Sequence, residues 1–215
     1  MKTLRLYTII AAVLMLSVSA YAQATYNFVN ITNNSATNAS TGESQLFVDV
    51  TDIGSNQVQF TFRNTGLAAS SITDVYFDDG HLLGISTVSN SSGVQFSKFA
   101  SPGNLPGANN ITPAFNTTAG FSADSDPPVQ PNGVNPNESL GIQFNLKNGA
   151  TYDTVISDLA NGSLRIGIHV QGFANGGSEA FVNNGNNCVI PAPGAVLLAS
   201  IGMACAGWLR NRGRF

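Results

Sequence analysis

The pattern that most restricts the fold is a strict alternation of polar and apolar side chains. Asn56-Gln57-Val58-Gln59-Phe60-Thr61-Phe62-Arg63 puts Val58, Phe60 and Phe62 on one side and Gln57, Gln59 and Thr61 on the other. A period of two belongs to a half-buried strand, because a helix turns its side chains with a period of 3.6. Tyr26, Phe28 and Asn30 keep the same rhythm, as do Leu46, Val48 and Val50, with Phe47 and Asp49 facing the other way. Asp52-Ile53-Gly54-Ser55-Asn56 then reads as a hairpin turn. Further strands are expected at 71–77, 82–88, 94–98, 140–146, 164–173 and 179–183, mostly parted by Gly, Asn, Asp or Pro. About nine or ten short strands predict an all-β chain, an antiparallel β-sandwich or jelly-roll-like domain.

One helix breaks the pattern. Tyr152, Val155, Ile156 and Leu159 fall at helical spacing behind Thr151, a competent N-cap, and ahead of Asn161-Gly162. A proline-rich stretch, residues 100–137, reads as a long loop, and Phe115 and Phe121 within it suggest that part of it folds back on the core. No internal repeat is present, so a solenoid or a regular threonine array has no support.

Charge excludes one class of partner. Five of the nine cations lie near the ends (Lys2, Arg5, Arg210, Arg212, Arg214), leaving Arg63, Lys98, Lys147 and Arg165 against all twelve acids, a net of −8 in the middle. Binding nucleic acid requires clustered Lys and Arg, so no nucleic-acid partner is expected. Cations and neutral sugars remain open. Cys188 and Cys205 both lie near the C-terminus, so the middle holds together without disulfides.

No nucleophile motif stands out. His169 alternates with apolar neighbours in Leu164-Arg165-Ile166-Gly167-Ile168-His169-Val170, which points to a cross-strand role, and His81 follows a turn. Asp78 and Asp79, followed by Gly80, and Asp124 and Asp126 with Asn132, Asn135 and Asn137 nearby, offer hard oxygen ligands of the kind calcium takes. Ordinary turn formation explains the same pairs. No spacing selects a glycosidase carboxylate pair, and no Trp stands in the middle to stack on sugar. The readings carried forward are a non-enzymatic surface protein without a cofactor, a calcium- or carbohydrate-binding module, and a secreted hydrolase with an acidic site.

The two ends carry addresses. Lys2 and Arg5, an apolar stretch from Leu6 to Val18 and Ser19-Ala20-Tyr21-Ala22 form a signal peptide over residues 1–22, with Ala20 and Ala22 in the small-residue positions that signal peptidase reads. A retained N-terminal anchor is the alternative. A β-ectodomain is expected over 23–183 and an Asn/Gly-rich spacer over 184–190. The tail, 189–215, contains Ile190-Pro191-Ala192-Pro193-Gly194, an apolar run over 195–209, and Arg210, Arg212 and Arg214. Counted from Val189, the apolar segment is about long enough to span a bilayer, with Trp208 at headgroup level and the arginines held in the cytoplasm. A core helix is the bland alternative, but a helix apolar on all faces fits membrane better.

At these residues the chain resembles proteins with a PEP-CTERM sorting domain, also catalogued as the ice-binding protein C-terminal domain. That family's tail joins a short Pro-x-Pro motif, a brief transmembrane helix and a terminal arginine cluster. Its usual motif is Val-Pro-Glu-Pro; Ala192 stands here at the glutamate position. The resemblance covers only the tail. It implies a bacterial protein that is exported, held by its C-terminal helix and handed to an exosortase, a membrane cysteine transpeptidase that cuts near the motif. The cell surface or an extracellular polymer matrix would be its destination, and exopolysaccharide a candidate partner. Residues 164–173 and 179–183 also look similar to the last hairpin of many uncharacterised ectodomains of this family, with no activity attached.

Overall fold

The computed structural model describes residues 22–79, 82–147 and 149–185. The signal-peptide residues Ala20 and those before it, most of the spacer, and the tail with Ile190 to Gly194, Trp208 and the three arginines lie outside the described residues, as does His81.

Ten strands form one antiparallel sheet: β1 (Gln23–Asn30), β2 (Leu46–Gly54), β3 (Gln57–Asn64), β4 (Ser71–Asp78), β5 (Leu82–Asn90), β6 (Phe96–Lys98), β7 (Ser122–Ser125), β8 (Ser139–Leu146), β9 (Arg165–Gln171) and β10 (Glu179–Asn183). Their order in space is β5-β8-β3-β2-β1-β10-β9-β4-β7-β6. β1 joins the two halves. Its first part pairs with β2, Tyr26 opposite Val48, and its last residues pair with β10, Phe28 opposite Asn183. The sheet therefore rolls into a nearly closed barrel, with β5 and β6 at the remaining seam. Side chains bridge that seam: Lys98 Nζ donates to the Ile85 carbonyl at 2.6 Å, and Phe96 N donates to Asn90 Oδ1 at 3.2 Å. An edge whose polar groups are answered by side chains is a poor template for a foreign strand.

The alternation read from the sequence sets the core. Tyr26, Phe28, Val48, Val58, Phe60, Phe62 and Phe144 are all fully buried inside the sheet. Phe77 sits among rings, its centroid 4.7 Å from Phe144 and 5.0 Å from Phe60 in edge-to-face arrangement, the geometry that the aromatic quadrupole favours.

Three α-helices accompany the sheet among the described residues. The one over Tyr152–Asn161 is as expected: Thr151 and Thr154 form a reciprocal capping box, Gly162 ends it at φ +82°, and Val155 and Leu159 enter the core. The helix over Ala36–Gln45 was not anticipated. Its buried side is Asn38, Ala39, Gly42 and Gln45, a helical stripe built without large apolar residues. It lies close to β10, since a Cβ on Gly42 would sit 2.2 Å from the Phe181 ring. A short turn of helix over Val129–Asn132 interrupts the proline-rich stretch.

That stretch is less bare than expected. β7 lies within it, residues 100–115 lie back on the outer side of β4, β9 and β10, and Phe121 enters the main core against Phe144. Leu105, Ala108 and Phe115 join Ile31, Tyr76, Ala180 and Val182 in a second apolar cluster outside the barrel. Gly167 makes the approach possible, since a Cβ there would be 2.7 Å from Leu105 and 3.1 Å from Phe115. Arg165 fastens the cover by donating to the carbonyls of Pro113 at 2.6 Å and Ala114 at 2.7 Å, with its guanidinium 5.4 Å from the Phe115 ring centre.

Candidate functional site

The acidic pairs singled out from sequence do not come together. Asp78 ends β4, and its carboxylate takes an ion pair from Arg165 and a hydrogen bond from Asn116 N at 3.1 Å. Asp79 accepts from Leu82 N at 2.6 Å, while its own N–H donates to Thr118 Oγ1 at 2.8 Å, which closes the turn between β4 and β5. Asp124 belongs to strand β7, where a loop position was expected, and stands opposite Asp74, four residues along β4 from Asp78. Asp126 accepts from Ser97 Oγ at 2.8 Å, and its carbonyl accepts from Asn132 Nδ2 at 2.9 Å. Among the described residues no group of three or more His, Cys, Asp or Glu is placed to hold a metal ion.

A different polar row emerges in their place. Ser97, Asp124, Asp74, His169 and Ala180 stand in register across β6, β7, β4, β9 and β10, so their side chains share the outer face. Asp74 is 3% exposed. It accepts from Thr73 Oγ1 at 2.8 Å and lies 2.9 Å from His169 Nδ1. Burial and the neighbouring Asp74 carboxylate push the Asp124 carboxyl up to about 6, against partial relief from the Ser101 and Ser125 backbone. Tyr76, two residues along from Asp74, donates to the Pro102 carbonyl at 3.1 Å, and its phenol is raised far above the usual range, first by burial and then by both aspartates. The cross-strand role read for His169 corresponds to this contact. Asp74 itself was overlooked, although Ile72-Thr73-Asp74-Val75-Tyr76-Phe77 shows it: Asp74 and Tyr76 occupy the phase opposite Val75 and Phe77.

Two carboxyls beside a histidine are groups that general acid–base chemistry could use. Here Asp74 is engaged by Thr73 and His169, Asp124 by the Ser101 and Ser125 backbone, and both lie beside the cover formed by residues 100–115. Two open depressions, of about 280 and 290 Å³, lie elsewhere, one at Arg63, Asn64, Thr65, Asn137, Glu138 and Ser139 and one beside the β2–β3 turn and Tyr152.

Glu179 is the most heavily bonded acid. It is fully buried and receives Asn30 Nδ2 at 3.0 Å, Thr32 Oγ1, Asn34 N at 3.1 Å and Ser35 N at 2.6 Å. Burial acts to raise its pKa, but the hydrogen bonds from Thr32, Asn30, Asn34 and Ser35 outweigh it and the carboxyl is held below its ordinary value. This clamp shapes the segment that leads from β1 into the Ala36–Gln45 helix. Compared with known proteins, the chain matches no family model and no curated protein sequence.

Proposed function

We propose that this is an exported, surface-sorted, non-enzymatic protein of the bacterial envelope or extracellular polymer matrix. In this reading a signal peptide over 1–22 is removed by signal peptidase. A sandwich-like, jelly-roll-type β-ectodomain over 23–183 is spaced off the membrane by 184–190, and the tail over 189–215 first anchors it and is then processed by an exosortase-like enzyme. The observation that carries the reading is the order of three segments: Ile190-Pro191-Ala192-Pro193-Gly194, the apolar run 195–209, and Arg210, Arg212 and Arg214. Two prolines remove backbone donors and hold the motif extended, as a protease groove requires. No helix among the described residues is long and apolar enough to cross a membrane, so the anchoring role rests on the tail.

The character of the β-body supports a binding or structural role over catalysis. Asp49, Asp78 and Glu179 are each engaged by Arg63, Arg165 or backbone donors, arrangements that hold the fold together. The decisive experiment is the intact mass of the protein recovered from its native host, with membrane and surface fractions kept apart. The expected species begins at Gln23 and ends between Pro191 and Gly194. A surface species that still carries Arg210 to Phe215 overturns processing and leaves a permanently anchored protein.

A further inference from the structure

The outward phase of β5, β8, β3, β2 and β1 forms a polar face unlike the rest of the molecule. Gln23, Thr51, Gln59, Gln143 and Thr87 stand in one register row across all five strands. At about 4.8 Å per strand the row is roughly 19 Å long. The row beside it runs through Thr25, Asp49, Thr61, Gly141 and Ser89. Side-chain amides link the surface laterally: Gln143 Nε2 donates to Gln59 Oε1 at 3.0 Å, Gln59 Nε2 to Thr61 Oγ1 at 3.0 Å, and Gln57 Nε2 to Asn145 Oδ1 at 2.7 Å. Gln59, bonded here through one N–H and one lone pair, has a second of each in its amide.

Charge on this face is cancelled locally. Arg63 makes a bidentate pair with Asp49, at 2.5 and 2.9 Å, and Thr25 Oγ1 donates to the same carboxylate at 2.6 Å. Arg63 also lies 5.9 Å from the centre of the half-buried Phe47 ring, the aromatic on this face. At this end the face runs into the 280 Å³ depression, whose lining side chains are all polar. Asn27, in the same phase as Thr25, and Asn64, at the depression, each keep a buried side-chain carbonyl oxygen that no donor among the described residues reaches.

We infer that this five-stranded face and its terminal depression bind a neutral polysaccharide. Sugar hydroxyls both donate and accept, which matches amides and threonines that retain one of each, and a polymer of repeating units matches a row that crosses five strands. An anionic polymer would need an unpaired cation, and the arginine of this face is already neutralised by Asp49. A protein partner would be expected to meet an apolar centre rather than rows of Gln and Thr. Of the helices, Ala36–Gln45 packs where β1 meets β10 and Val129–Asn132 packs against β4 and β7, while the helix over Tyr152–Asn161 turns Val155 and Leu159 into the core. The inference is independent of the tail.

Affinity electrophoresis of the detergent-solubilised full chain tests it, in native gels cast with dextran, with hydroxyethyl cellulose or with alginate. Retardation is expected in at least one neutral gel and not in alginate. The double variant Q59A/Q143A should weaken it about tenfold, as the loss of two neutral hydrogen bonds implies. T87K, at an exposed edge position, should weaken it without touching the core. Both variants are melted alongside the parent protein, and T87K carries the test if the double variant fails to fold. Migration unchanged in both neutral gels, equal retardation in alginate, or retardation indifferent to T87K overturns the proposal, the last in favour of another surface.

Discussion

The two halves of this sheet follow one rule and end up with opposite surfaces. In β2, β3 and β8 the outward phase is mostly polar, with Gln57, Gln59, Thr51, Thr61, Gln143 and Asn145 around the Arg63–Asp49 pair, and it stays open. In β4, β9 and β10 the outward phase contains Tyr76, Gly167, Ala180 and Val182, and residues 100–115 close over it. Alternation alone decides which side of a strand meets the core, but what the other side meets depends on whether its side chains are small and apolar enough to accept a cover. Once covered, polar residues left in that phase become costly. Asp74 and Asp124 are therefore held within the protein, and Glu179, in the inward phase of β10 beside Phe181, is bonded there as well, whereas the amides of the open half are bonded to one another.

The sharpest way to separate the halves is to remove one phenylalanine from each. Phe115 is 1% exposed beneath Arg165, and Phe115→Ala should lower stability by about 3–5 kcal/mol and open residues 100–121 to protease. Phe47→Ala on the open face should lower it by less than about 1 kcal/mol, because a half-buried ring leaves no sealed cavity. Equal losses in urea titrations would mean that the cover is dispensable or that the open face is not open.

Next in size is Glu179→Gln. The buried carboxylate answers four donors, and an amide can answer only those at its oxygen, so the variant should lose about 2–3 kcal/mol at pH 7. The folded-state pKa of Glu179 is depressed, so its contribution is present above the ordinary glutamate value and disappears as pH falls through the lower folded value. Melting curves for the two proteins should therefore converge as pH is lowered below the ordinary glutamate value. A gap that persists in strong acid would assign the loss to shape and not to charge.

How much of this was visible beforehand follows the same division. Nine of the ten strands and the Thr151-capped helix were legible, because large apolar residues mark their period. β7 was not, since Ser122-Ala123-Asp124-Ser125 has only one small apolar residue and pairs in the middle of a proline-rich stretch. The Ala36–Gln45 helix was hidden for a related reason: Gly42 lets it approach Phe181, so close packing replaces the hydrophobic stripe that would have announced it. Among the acids, local sequence drew attention to Asp78, Asp79, Asp124 and Asp126 as neighbours along the chain. The contact that forms is instead between strands, Asp124 beside Asp74, which sequence adjacency does not encode.

That contact gives a gain where the others give losses. Asp124 is raised to about 6 from an ordinary aspartate value, so its ionisation opposes folding above pH 6, and the penalty fades as pH falls toward 4. Asp124→Asn removes it. Partial solvation screens the repulsion, so the gain at pH 7.5 should be on the order of 1 kcal/mol, a rise of about 2–4 °C in melting temperature. Near pH 4 the variant and the parent should melt together; a variant less stable than the parent at pH 7.5 would show that the carboxylate is needed by the Ser101 backbone more than it is opposed by Asp74.

The smallest effect belongs to the ion pair of the open half. Arg63 and Asp49 have the bidentate geometry of a strong pair, yet the Arg63 side chain is 35% exposed and can turn to water when its partner is removed. A double-mutant cycle with Arg63→Met and Asp49→Asn should give a coupling of about 0.5–1 kcal/mol. Raising the salt to 1 M, where the Debye length is about 3 Å, should erase most of it. Asp78 and Arg165 make the informative contrast, because Arg165 also holds the Pro113 and Ala114 carbonyls and its coupling should resist salt. If the Arg63 pair proves equally salt-resistant, the open face is already drier than its exposure indicates, and water would no longer compete there with a bound sugar.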